Sequence, residues 1–543
     1  MNYPTLAELR QLRGDISSQN NDKRPLLPFY RDILADMETP VSAYCKTAQR
    51  PYSFLLESVS GGEQVARYSF IGIDPYMVMI HRGETATLLH MHNSPSPDEN
   101  QHEHEEEIAC HDPLSFVEAE LGQYALVEHH TQVRDELPKF FGGAVGYLSY
   151  DSVARFERLP VPEQNTLSLP LAVLCFTETV LVFDHVKHRV RIVTHLHLDA
   201  PDLEAEYARA IAILDDVEQR LHQPVRLPSE PTEHASERQV TSNHTQQEFE
   251  AMVRRSIDYI EAGDVFQVVP SQRLSREVAA APFTVYRALR AVNPSPYMFY
   301  LDLRDFHIIG ASPELLVRYE DNEVTIRPIA GTRPRGADRQ SDEALAHELR
   351  NDPKECAEHV MLIDLARNDV GRVSIPGTVQ VSELMEIERY SHVMHLVSNV
   401  TGELRPDMTP YDALRAGFPA GTVSGAPKIR AMEIISELED EQRGIYAGAV
   451  GYFSHSGNQE TAIALRTMVM KDGRAYIQAG CGVVADSDPT SEYHESLNKA
   501  RALLRALDEA EVMAQVTRNA QNTPLAHAAM QHTGRHDYVT PAR

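Results

Sequence analysis

The sequence predicts an α+β fold, because clear helical segments and short β-type segments follow one another without a regular strand–helix–strand repeat. The chain has 543 residues, of which 42% are hydrophobic and 24% are charged, as in ordinary globular proteins. No apolar run approaches the roughly 18 residues that a membrane-spanning helix needs.

Four segments show the spacing of an amphipathic helix. The first, residues 245–264, places Phe249 and Met252 on one side and ends at Gly263. The others are residues 352–371, 425–440 and 492–507. In the third of the four, Pro427 falls in the first turn, where its missing N–H costs little.

Short β-type runs bounded by glycine and proline lie between the helices, at residues 293–303, 307–312 and 475–484. Residues 265–274 predict a further strand. The most apolar stretch, residues 171–186, predicts one or two buried strands. The segment GGAVGYLSYD from Gly142 resembles AGAVGYFSHS from Ala447, which is either a coincidence or the mark of two halves built alike.

Composition excludes several classes of function. Asp and Glu number 79 against 51 Lys and Arg, so the formal charge is −28 and disfavours nucleic acid or an anionic membrane as partner. The five cysteines are far apart and form no CxxC pair: Cys45, Cys110, Cys175, Cys356 and Cys481. The N-terminus lacks the pattern of a signal peptide. These features predict a metabolic enzyme in the reducing cytoplasm.

Three polar segments divide the chain. Residues 92–112 are acidic and predict a disordered loop, and residues 223–245 are rich in proline and charge and predict a linker. The predicted regions are therefore residues 1–240, residues 241–515, and a disordered tail over residues 516–543.

Two acidic couplets are the first candidate site. Glu355 and Glu358 are three residues apart on one predicted helix, and Glu492 and Glu495 have the same spacing on another, so each couplet shares a helix face. Four carboxylates without a soft ligand suit a hard cation such as Mg²⁺. Spacing alone favours the alternative of solvated surface glutamates.

Gly-rich loops supply candidate anion sites. Residues 417–428 run into a helix start, which offers backbone N–H groups to a phosphate or carboxylate. The loop is not a P-loop, because Ile429 stands where serine or threonine should follow the lysine, so ATP hydrolysis is excluded. A tight structural turn is an equal alternative. Residues 328–336 and 478–489 are similar loops, and Cys481 in the latter reads as a small buried thiol rather than a nucleophile.

Four of these segments together resemble one family. They are IAGTRPRG from Ile329, DPKECAEHVMLIDLARNDVGRV from Asp352, GFPAGTVSGAPKIRAMEII from Gly417 and QAGCGVVADSDPTSEYHE from Gln478. In this order they resemble the chorismate-utilising enzymes, and within them the large subunits (component I) of anthranilate synthase. The resemblance covers residues 248–508 strongly and reaches the N-terminal half through LLES at residues 55–58 and through the GGAVGYLSYD segment.

The resemblance implies an α/β/β/α sandwich with a central chorismate cleft in residues 241–515 and a regulatory and structural role for residues 1–240. By that resemblance, Glu358 and Glu495 would hold Mg²⁺ directly, and Glu355 and Glu492 would support it through water. The positions that match chorismate contacts are Gly331, Thr332, Thr422, Tyr446, Arg466, Gly480, Cys481 and Gly482.

Three further residues match the family's chemistry. Glu314 corresponds to the general acid that protonates the leaving C4 hydroxyl, and His395 to the histidine linked to pyruvate elimination. Gln267 stands where relatives that add water carry a lysine. The resemblance therefore implies conversion of chorismate and ammonia to anthranilate and pyruvate, the first step of tryptophan biosynthesis.

Regulation and assembly follow from the same resemblance. The feedback pocket for tryptophan would contain Glu57, Ser58, Pro296, Tyr297 and Met298. The chain lacks a glutaminase nucleophile elbow, so ammonia would come from a glutamine amidotransferase subunit (component II), in a heterotetramer.

Two other functions compete with this one. Aminodeoxychorismate or aminodeoxyisochorismate synthesis is the nearer alternative. Aminodeoxychorismate synthases tend to read PIKGT, whereas this chain reads PIAGT with Ala330. A non-catalytic acidic metal-binding protein is the distant alternative.

Overall fold

The computed structural model describes residues 2–16, 23–34, 36–48, 50–59, 67–91, 104–127, 137–232, 238–390 and 393–521. The helices are α1 Leu6–Ile16, α2 Pro40–Thr47, α3 Pro113–Gly122, α4 Leu203–Leu221, α5 Gln246–Glu261, α6 Pro282–Val292, α7 Arg339–Asn351, α8 Pro353–Val373, α9 Pro410–Gly417, α10 Lys428–Leu438 and α11 Pro489–Gln521. Two short 3₁₀ helices cover Tyr150–Arg155 and Gly421–Val423. In these described ranges, no helix has the length and apolarity required to cross a membrane.

The strands of the N-terminal half are β1 Asn2–Tyr3, β2 Arg24–Leu34, β3 Ser53–Glu57, β4 Tyr68–Gly72, β5 Met77–His81, β6 Thr85–His90, β7 His104–Ala109, β8 Tyr124–Leu126, β9 Gly143–Leu148, β10 Ala172–Thr177, β11 Val180–Asp184 and β12 Arg189–His197. Those of the C-terminal half are β13 Thr241–Ser242, β14 Gln267–Val268, β15 Ser271–Glu277, β16 Tyr297–Asp302, β17 Phe306–Ser312, β18 Leu315–Glu320, β19 Glu323–Ile326, β20 Ile329–Pro334, β21 Gln380–Arg389, β22 Val393–Glu403, β23 Gly425–Ala426, β24 Ala449–Ser454, β25 Gln459–Ile463, β26 Thr467–Lys471 and β27 Arg474–Gly480.

The four predicted helices are present as α5, α8, α10 and α11. The ends of the first three lie within three residues of the prediction, whereas α11 continues to Gln521, well beyond the predicted end at residue 507. Helix α10 begins at Lys428, so Pro427 is its N-cap rather than a first-turn residue. The predicted strand 265–274 is broken into β14 and β15 at Pro270, which has no N–H for a ladder. The apolar stretch 171–186 forms two buried strands, β10 and β11, in different sheets.

Two large sheets form the centre of the molecule. The first has the order β1-β2-β12-β11-β4-β3-β16-β17-β26-β27-β15-β13, with β8 beside β2. The second has the order β20-β22-β19-β18-β25-β24-β9-β10-β5-β6-β7, with β21 beside β22. Apolar side chains of both sheets pack face to face, including Phe54 and Phe299 from the first and Tyr147 and Val450 from the second.

Helices cover the outer faces of both sheets. Buried residues of α4, α6 and α11 pack with the first sheet, and those of α8, α9 and α10 pack with the second. The molecule is therefore an α+β protein with α/β/β/α layers, which confirms the predicted fold class.

The chain is built from two similar halves that share both sheets. Residues 1–240 and 241–515 meet where β3 pairs with β16 and where β9 pairs with β24. In the second pair, the two echoing segments lie antiparallel with Gly146 directly opposite Gly451. The packing also repeats, because Gly72 makes room for the ring of Phe54 and Gly310 makes room for that of Phe299. The echo in the sequence therefore marks a duplication.

The segments expected to be loops are partly ordered. Strand β7 occupies residues 104–109 of the predicted loop 92–112 and pairs with β6 at the edge of the second sheet, while residues 92–103 lie outside the described residues. Helix α11 reaches Gln521 and so includes the start of the predicted tail, of which residues 522–543 lie outside the description. In the linker, of which residues 233–237 are not described, Glu230 is buried and accepts hydrogen bonds from the backbone N–H of Ala281 and from Thr284 at the start of α6.

Histidines from both halves of the chain form a buried group. His195 on β12 and His455 after β24 have ring centroids 5.2 Å apart. Burial lowers the pKa of His195 to about 3 and that of His455 to about 4. The groups around them are Glu178, which bonds His197 at 2.9 Å, and Tyr124. Both rings are therefore neutral at pH 7.

We expect these histidines to weaken the fold in acid. A histidine of ordinary pKa binds a proton in the unfolded chain below about pH 6.5, whereas these two do not in the folded chain, so stability falls as pH falls from about 6.5 towards 4. Neither ring nitrogen of His455 has a hydrogen-bond partner, so His455→Phe keeps the ring and removes the proton. Between neutral pH and about pH 5, the free energy of unfolding of this variant should fall by about 2 kcal/mol less than that of the wild type.

Urea unfolding at about pH 7.5 and pH 5 measures this difference. The exposed His222 supplies the control variant His222→Phe, which should behave as the wild type. An equal acid loss in the wild type and in His455→Phe would contradict the assignment.

Candidate active site

The predicted catalytic and substrate-contacting residues meet in one cleft of the C-terminal half. They come from separate elements: Glu314 follows β17, Thr332 lies on β20, His395 on β22, Thr422 in the second 3₁₀ helix, Tyr446 before β24, Arg466 before β26, and Gly480 to Gly482 at the end of β27. Side-chain contacts and electrostatic interactions connect these positions. Long-range pairing in both sheets thus assembles the cleft, since β20 and β22 belong to the second sheet and β26 and β27 to the first.

Glu314 is a buried carboxyl group held by a hydroxyl group. Thr422 donates from Oγ1 to both carboxylate oxygens, at 3.1 and 3.2 Å. Burial raises the pKa of Glu314 to about 8, and the Thr422 hydrogen bond and the nearby Arg466 oppose that rise. Glu314 is therefore protonated at neutral pH and can give a proton to a leaving group.

His395 is held in one tautomer. Its Nδ1 lies 3.1 Å from the carbonyl oxygen of Gly331 and 3.0 Å from the hydroxyl of Thr332. A carbonyl oxygen only accepts, so Nδ1 carries the proton and Nε2 keeps a lone pair. Burial lowers the pKa of His395 to about 4, so the neutral ring can act as a base through Nε2.

Arg466 brings a positive charge into the cleft. It forms no ion pair with any part of the chain that the structure describes, and burial lowers its pKa. Its backbone has φ +46°, a left-handed conformation that is uncommon for a residue with a side chain. Arg466 is half-buried, and a guanidinium that is partly removed from water without a carboxylate is costly, so this position is suited to an anionic ligand.

The Gly480–Gly482 turn is closely packed on its neighbours. A side chain at position 480 would lie 2.8 Å from the hydroxyl of Tyr446, and one at position 482 would lie 2.8 Å from the amide of Gln267. Cys481 is fully buried, and burial raises the pKa of its thiol well above the usual range. It is therefore a packing residue rather than a nucleophile.

The four glutamates lie at the starts of two helices. Asp352 caps α8 by accepting from the backbone of Lys354 and Glu355, which fixes the first turn that carries Glu355 and Glu358. Helix α11 carries Glu492 and Glu495.

Each couplet is held by a neighbouring polar group. Gln267 donates to Glu358 at 3.0 Å, Arg333 pairs with Glu355 at 3.1 Å, and Lys499 pairs with Glu495 at 2.8 Å. No three Asp, Glu, His or Cys side chains converge closely enough for a metal within the ranges described.

The donor set nevertheless fits a hard cation. All four groups offer carboxylate oxygens, the ligands that Mg²⁺ prefers. One carboxylate oxygen of Glu492 is buried without a hydrogen-bond partner, and burial raises the pKa of this group. A cation would satisfy this orphaned oxygen and the like charges around it.

The five residues matched to a tryptophan pocket lie around a second cavity, of about 980 Å³, between the two sheets: Glu57, Ser58, Pro296, Tyr297 and Met298. Glu57 is already engaged by Tyr286 and Arg290. The hydroxyl oxygen of Ser58 and the amide oxygen of Asn399 are buried there without a partner. The cavity therefore has free polar groups for a ligand.

The sequence reasoning missed three residues of the cleft. Tyr390 packs edge-on against His395, with ring centroids 5.6 Å apart, and its hydroxyl donates to Glu388 at 2.7 Å. Arg333 and Lys499 neutralise glutamates of the two couplets. Lys499 follows Glu495 by four residues, so helical spacing could have found it. Nothing in the spacing points to Tyr390 or Arg333.

The duplication explains why one half alone has this cleft. Gly72 and Gly310 occupy equivalent positions in the two halves. The strand registers counted from these two glycines make His195 equivalent to Gly480 and His197 equivalent to Gly482. Imidazole side chains thus stand where the C-terminal half has glycine. In the N-terminal half, histidines therefore occupy the positions of the Gly480–Gly482 turn.

Comparisons with known proteins show the family of this chain. The family model described as chorismate binding enzyme matches residues 84–505. Anthranilate synthase component 1 of Acetivibrio thermocellus is 45% identical over 94% of this chain and 99% of its own. The protein of the same name from Pseudomonas putida is 48% identical over 89% and 96%.

Solved structures show the same fold. Anthranilate synthase component I from Streptococcus pneumoniae matches with a TM-score of 0.69 and 38% identity over 87% of this chain and 99% of that one. The menaquinone-specific isochorismate synthase from Escherichia coli has a TM-score of 0.66 over 92% and 99%. Its identity is 17%, so it supports the fold alone.

The contact between Thr422 and Glu314 gives a direct test of the site. A hydrogen bond to the ionised carboxylate lowers the pKa, so Thr422→Val should move the pKa of Glu314 above its value of about 8. The infrared carboxyl band that disappears in Glu314→Gln reports this titration. Thr461→Val removes a buried hydroxyl that donates to the carbonyl oxygen of Val317, and it should leave the pKa of Glu314 unchanged. A midpoint that stays or falls in Thr422→Val would rule out the contact.

Proposed function

Because the chain belongs to the chorismate-binding enzyme family, we propose that it converts chorismate and ammonia to anthranilate and pyruvate, as a component I subunit in the cytoplasm. The observation that carries the proposal is the half-buried Arg466, which pairs with no carboxylate of the described residues, near the protonated carboxyl of Glu314. Chorismate brings carboxylates for the guanidinium and a hydroxyl leaving group for the acid.

The first step is amination of the ring. Ammonia attacks C2, the two ring double bonds shift from C1–C2 to C1–C6 and from C5–C6 to C4–C5, and the C4 hydroxyl leaves as water with the proton of Glu314. The ammonium group formed at C2 gives up one proton and becomes the amine. A pKa of about 8 keeps this carboxyl loaded at neutral pH. Thr422 steadies the carboxylate that remains after the transfer.

The second step makes the ring aromatic. The Nε2 lone pair of His395 takes the proton from C2, the electron pair forms the C2–C3 double bond, and the C3–oxygen bond breaks. The departing enolpyruvate takes up a proton and becomes pyruvate. Gly331 and Thr332 hold the imidazole in the tautomer that this step requires.

The four glutamates are proposed as the Mg²⁺ site, with Glu358 and Glu495 as direct ligands and Glu355 and Glu492 as outer ones. A bound Mg²⁺ would neutralise the ring carboxylate of chorismate and fix its position. Gln267 and Lys499 contact the two proposed direct ligands and would orient their carboxylates.

Gln267 also suits ammonia as the nucleophile. An amide cannot deprotonate water as a lysine can, and ammonia already has its lone pair. A component II subunit with glutaminase activity would supply this ammonia, in the proposed heterotetramer.

One assay tests the reaction. The purified chain with chorismate, Mg²⁺ and an ammonium salt at mildly alkaline pH should form fluorescent anthranilate and an equal amount of pyruvate. Unchanged chorismate would end the proposal. Consumption of chorismate without pyruvate would favour an aminodeoxychorismate or aminodeoxyisochorismate product.

The metal site has its own test. Glu358→Gln removes a charge from the direct ligand set, so the Mg²⁺ concentration for half-saturation should rise at least about 10-fold. Isothermal titration with Mg²⁺ measures this independently of activity. Glu509→Gln changes an exposed glutamate later on the same helix as Glu495 and should have no effect. Equal Mg²⁺ affinity in all three proteins would contradict the assignment.

We also propose that tryptophan binds the cavity between the sheets and inhibits the enzyme. The chain itself contains no tryptophan, so the fluorescence of added tryptophan reports binding without background. Ser58→Val removes an unpaired hydroxyl and should weaken tryptophan binding and inhibition together, by about 10-fold, with normal activity in its absence.

Ser69→Val is the matched control. Ser69 is buried on β4 and bonds His185 rather than lining the cavity. Tryptophan affinity that drops in Ser69→Val but not in Ser58→Val would place the ligand elsewhere.

A further inference from the structure

Phe266 is an apolar ring that the fold leaves in solvent. Its side chain is 72% exposed, whereas the next residue, Gln267, is 3% exposed and points into the cleft. It is the one aromatic residue among the large hydrophobic side chains classed as exposed in the ranges described. Exposed aromatic rings of this kind are typical of the centres of protein interfaces.

Three apolar residues surround this ring, and with it they form what we call the Phe266 patch. The backbone N–H of Phe266 donates to the carbonyl of Ala426 at 2.7 Å, which places Pro427 and Ile429 next to it. The bridge between Val268 and Val483 brings Ala485 alongside on the other edge. Pro427, Ile429 and Ala485 are all exposed.

The patch lies on the outer side of the wall that Gln267 forms in the cleft. Gln267 bonds Glu358 at 3.0 Å and lies against Gly482. By the proposed function, this is the side from which ammonia reaches ring C2. Ammonia released into water becomes ammonium, so its source has to cover the cleft at this side.

The charges around the patch favour a basic partner. Arg430, one residue beyond Ile429, is shared by the carboxylates of Asp264, Glu433 and Glu437. Three negative charges against one positive charge leave this rim acidic. A partner with an apolar pocket and a rim of lysine and arginine would complement it.

We propose that the Phe266 patch is the docking surface of the glutamine amidotransferase subunit, with the ring of Phe266 as its central anchor. This inference rests on the proposed function, because it assigns the partner by the ammonia that it delivers. Docking there covers the cleft beside Gln267, and its affinity falls with salt as the acidic rim is screened.

The test compares two reactions of the same protein. The full chain and the component II subunit of the same organism are purified separately. Anthranilate formation by the mixture is then measured with glutamine or with an ammonium salt. Phe266→Glu should raise the Kd for component II at least about 30-fold and abolish activity with glutamine at ordinary subunit concentrations. Activity with ammonium should stay within about twofold.

The controls separate the possible failures. Leu34→Glu alters a side chain that is 74% exposed but lies on β2 in the N-terminal half, and it should bind component II normally. If Phe266→Glu loses both activities, Ile429→Glu decides, because it lies outside the wall of the cleft.

Wild-type affinity in both Phe266→Glu and Ile429→Glu would overturn the proposal. A wild-type dimer that either substitution converts to a monomer, with component II binding unchanged, would assign the patch to a second copy instead. Loss of ammonium-dependent activity in the wild type itself would refute the proposed function.

Discussion

The pairing of β3 with β16 and of β9 with β24 is the constraint on which the rest of the structure depends. These two antiparallel contacts join the duplicated halves into two continuous sheets. Gly146 and Gly451 face each other in the second contact, and a side chain on either would strike a backbone carbonyl at about 2 Å. Both ligand sites follow from this join, because the inter-sheet cavity and the C-terminal cleft share the second sheet.

The cavity between the sheets and the cleft lie on opposite sides of the short segment that leads into β18. Pro313 and Leu315 line the cavity between the sheets, and Glu314 between them turns to Thr422 in the cleft. Side chains of consecutive residues in an extended segment point to opposite faces. The wall of the cavity and the carboxyl group of Glu314 are therefore carried by the same short segment of backbone.

Burial sets the chemistry of the cleft. It raises the pKa of Glu314, lowers that of His395 and lowers that of Arg466, so the site holds a loaded acid, a free base and a cation that needs an anion. In the N-terminal half the same burial lowers the pKa of His195, which stands where the C-terminal half has Gly480. The two halves of the duplicated fold therefore differ in the chemistry of equivalent positions.

The sequence predicted the helices, because periodicity is local. Local motifs also selected residues that the fold brings into contact, such as Glu314 with Thr422 and Thr332 with His395, and their roles stay predictions. Helices α5 and α8 lie within three residues of their predicted ends. Strand pairing could not be predicted, since an apolar strand such as β10 or β11 does not specify which sheet it joins. The exposure of Phe266 and the contact of Tyr390 with His395 depend on elements that are distant in sequence, so no local pattern reveals them.

The central claim is that Arg466 is a half-buried cation that the substrate pairs with, and chorismate binding tests it most directly. Isothermal titration of chorismate into the wild type and Arg466→Gln, at equal Mg²⁺, compares their affinities. Loss of a buried charge partner should weaken binding at least about 30-fold, with the fold intact by circular dichroism. Equal affinity in a folded Arg466→Gln protein would contradict the account.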